Sequence, residues 1–360
     1  MPSGIVADRR PEPMHYPDDR LFRPTVNFAE KVLSGEDPDT VVLSFGSAAR
    51  GIEEVTLGTL RAEVDATSRW LRQLRLGRRG LVVGYLPSVP EAVTALLATA
   101  AIGAVWSACS TTLSAHKVAH RYLDFAPAIL IAVERLDRHG AAFDRREEVN
   151  RLRGLFPHLL GSALVPGTSP NLAGCGGSDR PAFESLDVDH PLLLGVDEDP
   201  RSLDWPVVLN HGEAIGIEGD GTHSHPREEG SRVLWAVDDA APHWTLFAQS
   251  LAANRSIVLH QGDPGSSDLR ALWDLCATTG CTSVVVDHTY IRAAGEAGLR
   301  PAREARLDRL ESVTVTAPAP VEALADWIGE QVGARCRWSV VAPGRKLDDR
   351  RLQRSAAAWI

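Results

Sequence analysis

From about Val55 the chain alternates between helical periodicities and short apolar runs. Leu60, Val64, Leu71 and Leu74 mark one face of a first helix, and Leu81 to Leu86 then form a continuous apolar run ending at Pro87, as a buried strand does. Pro90 and Glu91 suit the first turn of a second helix. The Ala- and Thr-rich stretch Ala92 to Ala108 behind them is too short to span a bilayer and reads as a buried core helix. Ile129 to Val133 is the next strand. Asp144, with Glu147 three residues later, resembles a capping box that opens a helix through Val149, Leu152 and Leu155.

The second half repeats the rhythm. Ser256 to Leu259 and Thr282 to Val286 read as strands separated by a helix that Ser267 caps, that carries Leu269, Leu272, Trp273 and Leu275, and that Gly280 stops. Val313 to Thr316 and Trp338 to Val341 read as further strands flanking a helix with Val321, Leu324, Ile328 and Val332 on one face. Strands alternating with helices predict an α/β fold of layered, mainly parallel sheets covered by helices. Pro166 to Arg180, rich in Gly, Ser and Pro, and Val196 to Gly230, rich in Asp, Glu, Gly and His, read as loops. The expected organisation is an N-terminal segment packing on the core (1–54), two α/β sub-domains (55–180 and 181–346) and a helix-like tail (347–360).

Composition narrows the function classes. With 44% hydrophobic and 24% charged residues, 360 residues suffice for a large core, which excludes a disordered or fibrous chain. The net charge of −9 gives no basic field for nucleic acid or an anionic membrane, so neither partner is expected. The N-terminus carries no apolar core of a secretory leader, and the five cysteines contain no C-x-x-C pair. Reduced thiols and a cytoplasmic location are the expectation.

Several separated segments then carry a resemblance. Tyr85-Leu86-Pro87-Ser88-Val89-Pro90-Glu91-Ala92-Val93 and Gly103-Ala104-Val105-Trp106-Ser107-Ala108-Cys109-Ser110 are the fullest. Asn27-Phe28-Ala29-Glu30, His190-Pro191-Leu192-Leu193, Gly262-Asp263-Pro264, Leu272-Trp273, Ala297-Gly298-Leu299-Arg300-Pro301 and Asp326-Trp327 follow the same order. Over roughly residues 20 to 345 the chain resembles the N-terminal half of acetoacetyl-CoA synthetases, which are acyl-CoA ligases of the adenylate-forming superfamily. The resemblance implies the fold of their large N-terminal domain, without the small C-terminal domain that carries the catalytic lysine. It also implies ATP with Mg²⁺ and CoA as cofactors wherever the ligase chemistry is retained.

The ATP-side motifs of that family are altered here. Its phosphate loop is built of Ser, Thr and Gly and ends in Lys, because small residues let backbone N–H groups approach phosphate and lysine balances charge. The matching stretch runs from Val196 through Asp197, Glu198, Asp199, Pro200, Arg201, Ser202, Leu203 and Asp204 to Trp205, with no glycine and no lysine. Four carboxylates against one arginine leave it at −3. Each like-charge contact with a phosphate costs on the order of 1 kcal/mol or more. The Thr-rich turn expected next is replaced by Ala236-Val237-Asp238-Asp239-Ala240-Ala241-Pro242-His243-Trp244, which keeps only its tryptophan. The turn near the adenine becomes Thr316-Ala317-Pro318-Ala319-Pro320, and the Gly-Gly-Thr-acid motif becomes Val341 to Lys346.

These substitutions predict a domain that has lost adenylation, with no cofactor expected, and that acts by binding an acyl or acyl-CoA ligand or a protein partner, a second copy included. The competing reading is an enzyme acting on an acyl or β-keto substrate, with Asp238, Asp239, His243, Asp287 and His288 as candidate acids and bases. Asp287 and His288 at a strand's carboxyl end read more simply as helix-capping residues. Trp106 and Trp244 are the candidate substrate-pocket residues. Cys109 reads as a small buried hydrophobe. His211, His223, His225 and His243 have no recognised zinc spacing, so no metal is expected. In the tail, Trp359 and Ile360 are candidates for an interaction surface.

Overall fold

The structure, a computed structural model, describes residues 24–47, 51–138, 141–165, 178, 180–196, 206–217, 230–237, 241–253, 256–260, 268–317, 322–332 and 337–341. The strands are β1 (Thr25–Val26), β2 (Val41–Ser47), β3 (Gly51–Thr56), β4 (Leu81–Tyr85), β5 (Val105–Ala108), β6 (Ile129–Val133), β7 (Arg135–Arg138), β8 (Ala141–Asp144), β9 (Gly161–Val165), β10 (Leu186–Asp187), β11 (Pro191–Gly195), β12 (Val207–Asn210), β13 (Arg232–Ala236), β14 (Ser256–His260), β15 (Ser283–Asp287), β16 (Ser312–Thr316) and β17 (Arg337–Val341). The helices are α1 (Phe28–Val32), α2 (Leu57–Gln73), α3 (Pro90–Ala101), α4 (Ala115–Tyr122), α5 (Arg146–Leu155), α6 (His211–Ala214), α7 (Ala241–Ala252), α8 (Ala271–Thr279), α9 (His288–Glu296), α10 (Pro301–Glu304) and α11 (Glu322–Gln331).

Two sheets carry the fold, one of six strands in the order β12-β11-β5-β4-β6-β9 and one of seven in the order β17-β16-β15-β13-β14-β2-β3. Both are parallel except at one edge, where β12 and β3 run antiparallel to their neighbours. Alternate residues of each strand enter different cores, as a sheet covered on both faces requires. Val82, Trp106, Ile129 and Ile131 of the first sheet share one cluster with Leu43, Phe45, Val233, Trp235 and Ile257 of the second. That cluster also takes the buried faces of α2, α3 and α7, so this helical layer is sandwiched between the sheets. Leu81, Val83 and Leu130 face α4 and α5 instead. Leu234, Val284, Val313 and Val315 face α8, α9 and α11. The result is five layers, helix–sheet–helix–sheet–helix.

Helix α3 lies at the centre, and all twelve of its residues are buried. Five of its twelve residues are alanine, which lets the neighbouring layers close on it from every side. Asn27 fixes its far end. The Asn27 side chain caps α1 through the Ala29 N–H at 2.9 Å and donates to Ala100 O at 3.0 Å and Glu184 O at 3.0 Å. The neighbouring His211, fully buried, accepts the Phe28 N–H on Nδ1 at 3.0 Å, and His190 Nε2 lies 2.8 Å from Gly103 O.

Several local expectations are corrected. Ala92 to Ala108 is not one helix: Gly103 adopts φ 69°, the Ala104 N–H bonds Thr99 O, and the chain turns into β5. Asp144 forms no capping box. It ends β8 and accepts the Arg146 N–H, while the N-cap position of α5 falls on Arg145. Helix α8 begins at Ala271 with the Asp268 side chain on its N–H, so Leu269 precedes the helix, and Ser267 lies outside the described residues. Val196 to Gly230 is not a single loop, since it contains β12 and then α6, opened by a capping box between Asn210 and Glu213. The sheets also exchange strands along the chain: β2 and β3 join the seven-stranded sheet, and β11 and β12 join the six-stranded one.

Two stability predictions follow from this packing. A Cβ at Gly84 would stand 2.3 Å from the Trp106 ring, so Gly84→Ala is expected to destabilise by about 1–3 kcal/mol in urea denaturation. Burial, then the adjacent His190, holds His211 down at about 3 against its ordinary 6.5. Its folded pKa being depressed, the neutral ring's contribution is complete above pH 6.5 and is lost as pH falls toward 3. The loss is at most about 1.4 kcal/mol per pH unit. His211→Asn is expected to flatten that slope between pH 6 and 4 when unfolding free energies are compared across pH.

Candidate functional site

The sequence places aromatic residues on three elements that meet between the sheets. Trp106 on β5, Trp235 on β13, and Trp244 with Phe247 on α7 form one chain of edge-to-face rings. Trp106 and Trp244 lie 5.7 Å apart between centroids, Trp244 and Phe247 5.2 Å, and Phe247 and Trp235 5.0 Å. Gly84 on β4 is what makes room for the Trp106 ring, since any side chain there would overlap it. Trp106 is completely buried, and its indole N–H finds no acceptor among the described residues.

Beside this chain of rings lies a small cavity lined by Ser88, Val89, Val93, Trp235, His243, Trp244, Phe247 and Leu259. Its walls come from the turn after β4, from α3 and α7, and from the carboxyl-terminal halves of β13 and β14. Carboxyl ends of parallel strands are where α/β sheets take ligands. The space at its centre is only about 10 Å³, room for a single water. Trp244 and His243 therefore both reach the cavity, and Trp106 supports it through Trp244. Sequence reading missed Phe247 and Trp235 as part of this wall, although Phe247 follows Trp244 by three residues, one helical turn on the same face.

One strand beyond β13, at the carboxyl end of β15, Asp287 and His288 form a second polar group. Asp287 Oδ1 accepts the Thr289 N–H at 2.8 Å and the Thr289 hydroxyl at 2.6 Å, which makes Asp287 the N-cap of α9. Thr316, at the end of β16, donates its hydroxyl to Asp287 Oδ2 at 3.3 Å. His288 Nδ1 lies 3.3 Å from both Asp287 Oδ1 and Thr316 O. Both neighbours are acceptors, so Nδ1 is the nitrogen placed to donate, which leaves Nε2 as the ring's other nitrogen. Asp287 is thus engaged in capping, while Nε2 of the partly exposed His288 is the atom able to act as a base. At the end of β14, burial pulls His260 down to about 4, so its imidazole is neutral near pH 7. No sequence signal singled out His260.

The remaining candidates, Asp197, Glu198, Asp199, Arg201 and Ser202 with Asp238 and Asp239, lie outside the described residues. The first five fall in the connection between β11 and β12, whose ends pair at Gly195 and Val207. Among the described residues no group of three His, Cys, Asp or Glu is arranged to hold a metal ion. Nor is any helix there long and apolar enough to cross a membrane. Cys109 is buried on β5's exit with Sγ 3.5 Å from Gly84 O, the setting of a small core residue.

Comparison with known proteins agrees with this architecture. The model of the AMP-binding enzyme family matches residues 31–165. Acetoacetyl-CoA synthetase of Mus musculus is 26% identical over 325 residues, covering 83% of this chain and 47% of the mouse protein. Acetoacetyl-coenzyme A synthetase of Rhizobium meliloti is 25% identical over 331 residues, with 87% and 49% covered. The solved structure of acetoacetyl-CoA synthetase from Streptomyces lividans superposes with a TM-score of 0.77 at 28% identity, covering 88% of this chain and 51% of that one. The chain spans about half the length of the curated relatives it matches. With these segments in order and two parallel sheets enclosing a buried helical layer, the chain is similar to acetoacetyl-CoA synthetases over about half their length, and it has the fold of the large N-terminal domain of adenylate-forming enzymes.

Proposed function

We propose that this domain does not adenylate a carboxylate and that it acts by binding, with an acyl or acyl-CoA ligand or a protein partner as what it binds. The observation that carries the reading is the stretch 197–204, where the family's phosphate loop falls. ATP-dependent relatives need backbone donors and a cation there, and Pro200 removes a donor while Asp197, Glu198, Asp199 and Asp204 add negative charge. That donor set does not fit a triphosphate. The narrow cavity supports the same reading, since an acyl chain needs Trp244 and Phe247 to move before it can enter. Binding thus requires opening an aromatic cluster rather than filling a ready pocket. A second copy of the chain is included among the partners, and the cytoplasm remains the compartment this reading assumes.

One observation favours a second reading, an enzyme acting on an acyl or β-keto substrate. His288 presents Nε2 at the carboxyl edge of the sheet with its other nitrogen anchored, which is how a general base is held. His243 at the cavity wall is the other candidate base. ATP, Mg²⁺ and CoA belong to this reading only in its ligase form.

Acetoacetate-dependent exchange of pyrophosphate into ATP separates the two. The chain is expected to give no exchange above a blank without protein, and exchange that scales with protein would overturn the binding reading. Turnover of a β-keto acyl substrate that drops at least tenfold in His288→Ala or His243→Ala would establish the enzyme instead.

A further inference from the structure

Helix α8, on the outer face of the seven-stranded sheet, ends in a turn whose geometry has a chemical consequence. Gly280 takes the left-handed conformation at φ 65°, and the Cys281 N–H reaches back to Cys276 O at 3.0 Å. In this type of helix end the two residues so joined place their side chains against each other, usually as a hydrophobic contact. Here both are cysteines, each only 1% exposed and unbridged. Backbone bond lengths together with that hydrogen bond hold their α-carbons within roughly 7 Å, and a disulfide spans such a separation. The side chains converge as well as the backbones, because the Cys276 and Cys281 thiols hydrogen-bond each other.

The surroundings distinguish Cys281 from an inert core thiol. Thr279 Oγ1 lies 3.2 Å from Cys281 Sγ. Arg232 Nη1 donates to Thr279 O at 2.6 Å, and Arg309 Nη1 crosses Gly280 at 3.2 Å from where a Cβ would stand. The Cys276 hydrogen bond first, then Thr279 and the two guanidinium groups flanking the cap, lower the Cys281 thiol against the opposing effect of burial and so favour its thiolate, the form that reacts with oxidants. Gly280 and Thr282 on either side are partly exposed, and the last turn of a helix opens at low free energy.

We propose that Cys276 and Cys281 form a redox pair that small peroxides oxidise to a disulfide across the end of α8. The Cys281 thiolate attacks one peroxide oxygen, the O–O bond breaks, and a sulfenic acid forms as hydroxide leaves and is protonated to water. Cys276 then attacks the sulfenic sulfur, the S–S bond forms, the S–O bond breaks and a second water leaves. Two thiols lose two electrons, and the peroxide is reduced to two waters. The bridge ties α8 to the start of β15 and reverses with dithiol reductant.

The full chain treated with hydrogen peroxide at neutral pH, denatured, alkylated and digested with trypsin gives the test, since residues 271–292 leave as one peptide holding both cysteines. That peptide is expected about 2 Da lighter than its reduced form, closed to alkylation and restored by dithiothreitol. Cys109 on the other sheet is expected to stay open to alkylation. In Cys276→Ser the reaction is expected to stop at a sulfenic acid on Cys281 that dimedone captures. Full alkylation of both cysteines in the peroxide-treated native chain overturns the proposal, and so does oxidation of Cys281 to a sulfinate without the bridge. Because the native chain carries that readout, a variant that fails to fold does not affect it.

Discussion

Everything in this fold depends on burying one helix completely. Helix α3 presents no face to water, so its two flanking sheets and the helices α1, α2 and α7 must enclose it, and its small side chains are what let them come close enough. A helix without a solvent face has no freedom to slide or rotate. Asn27 and the turn at Gly103 then fix where it ends, and Pro90 fixes where it begins. The turn that enters α3, Ser88 and Val89, thereby lines one cavity with Trp235 of the other sheet and Trp244 of α7. The position of the cavity follows from how the core is packed.

The same packing explains why the cavity is closed. Rings on β5, α7 and β13 meet edge to face across the inter-sheet layer, with Gly84 leaving the space that the innermost indole occupies. Such contacts add to ordinary area burial, so opening the cluster carries an energetic cost that a ligand must meet. Under the proposed binding function, the core keeps what folding needs, while the stretch 197–204, without glycine or lysine, would not supply the phosphate contacts that the family's loop makes.

The layered α/β architecture was legible because strands buried on both faces read as continuous apolar runs. Leu81 to Tyr85 and Ile129 to Val133 are cases where local pattern and tertiary burial agree. The break inside Ala92 to Ala108 was harder to see, since only the backbone of Gly103 distinguishes a helix followed by a strand from one long helix. Val207 to Asn210 was hidden by the acidic, glycine-rich residues around it, although its apolar run and the Asn210–Glu213 cap were present. At the site, Trp106 and Trp244 were visible as isolated residues. Their contact was not, because 138 positions separate them along the chain and only the stacking of the two sheets joins them. The roles of Phe247, Trp235 and Thr316 arise from the same long-range geometry.

The central claim is that the stretch 197–204 cannot hold a nucleotide triphosphate. Isothermal titration of Mg-ATP into the chain tests it most directly, with acetoacetate present and absent. No saturable heat is expected at any ratio. Saturable binding in the micromolar range would contradict the claim, and would mean that those carboxylates hold the nucleotide through its metal.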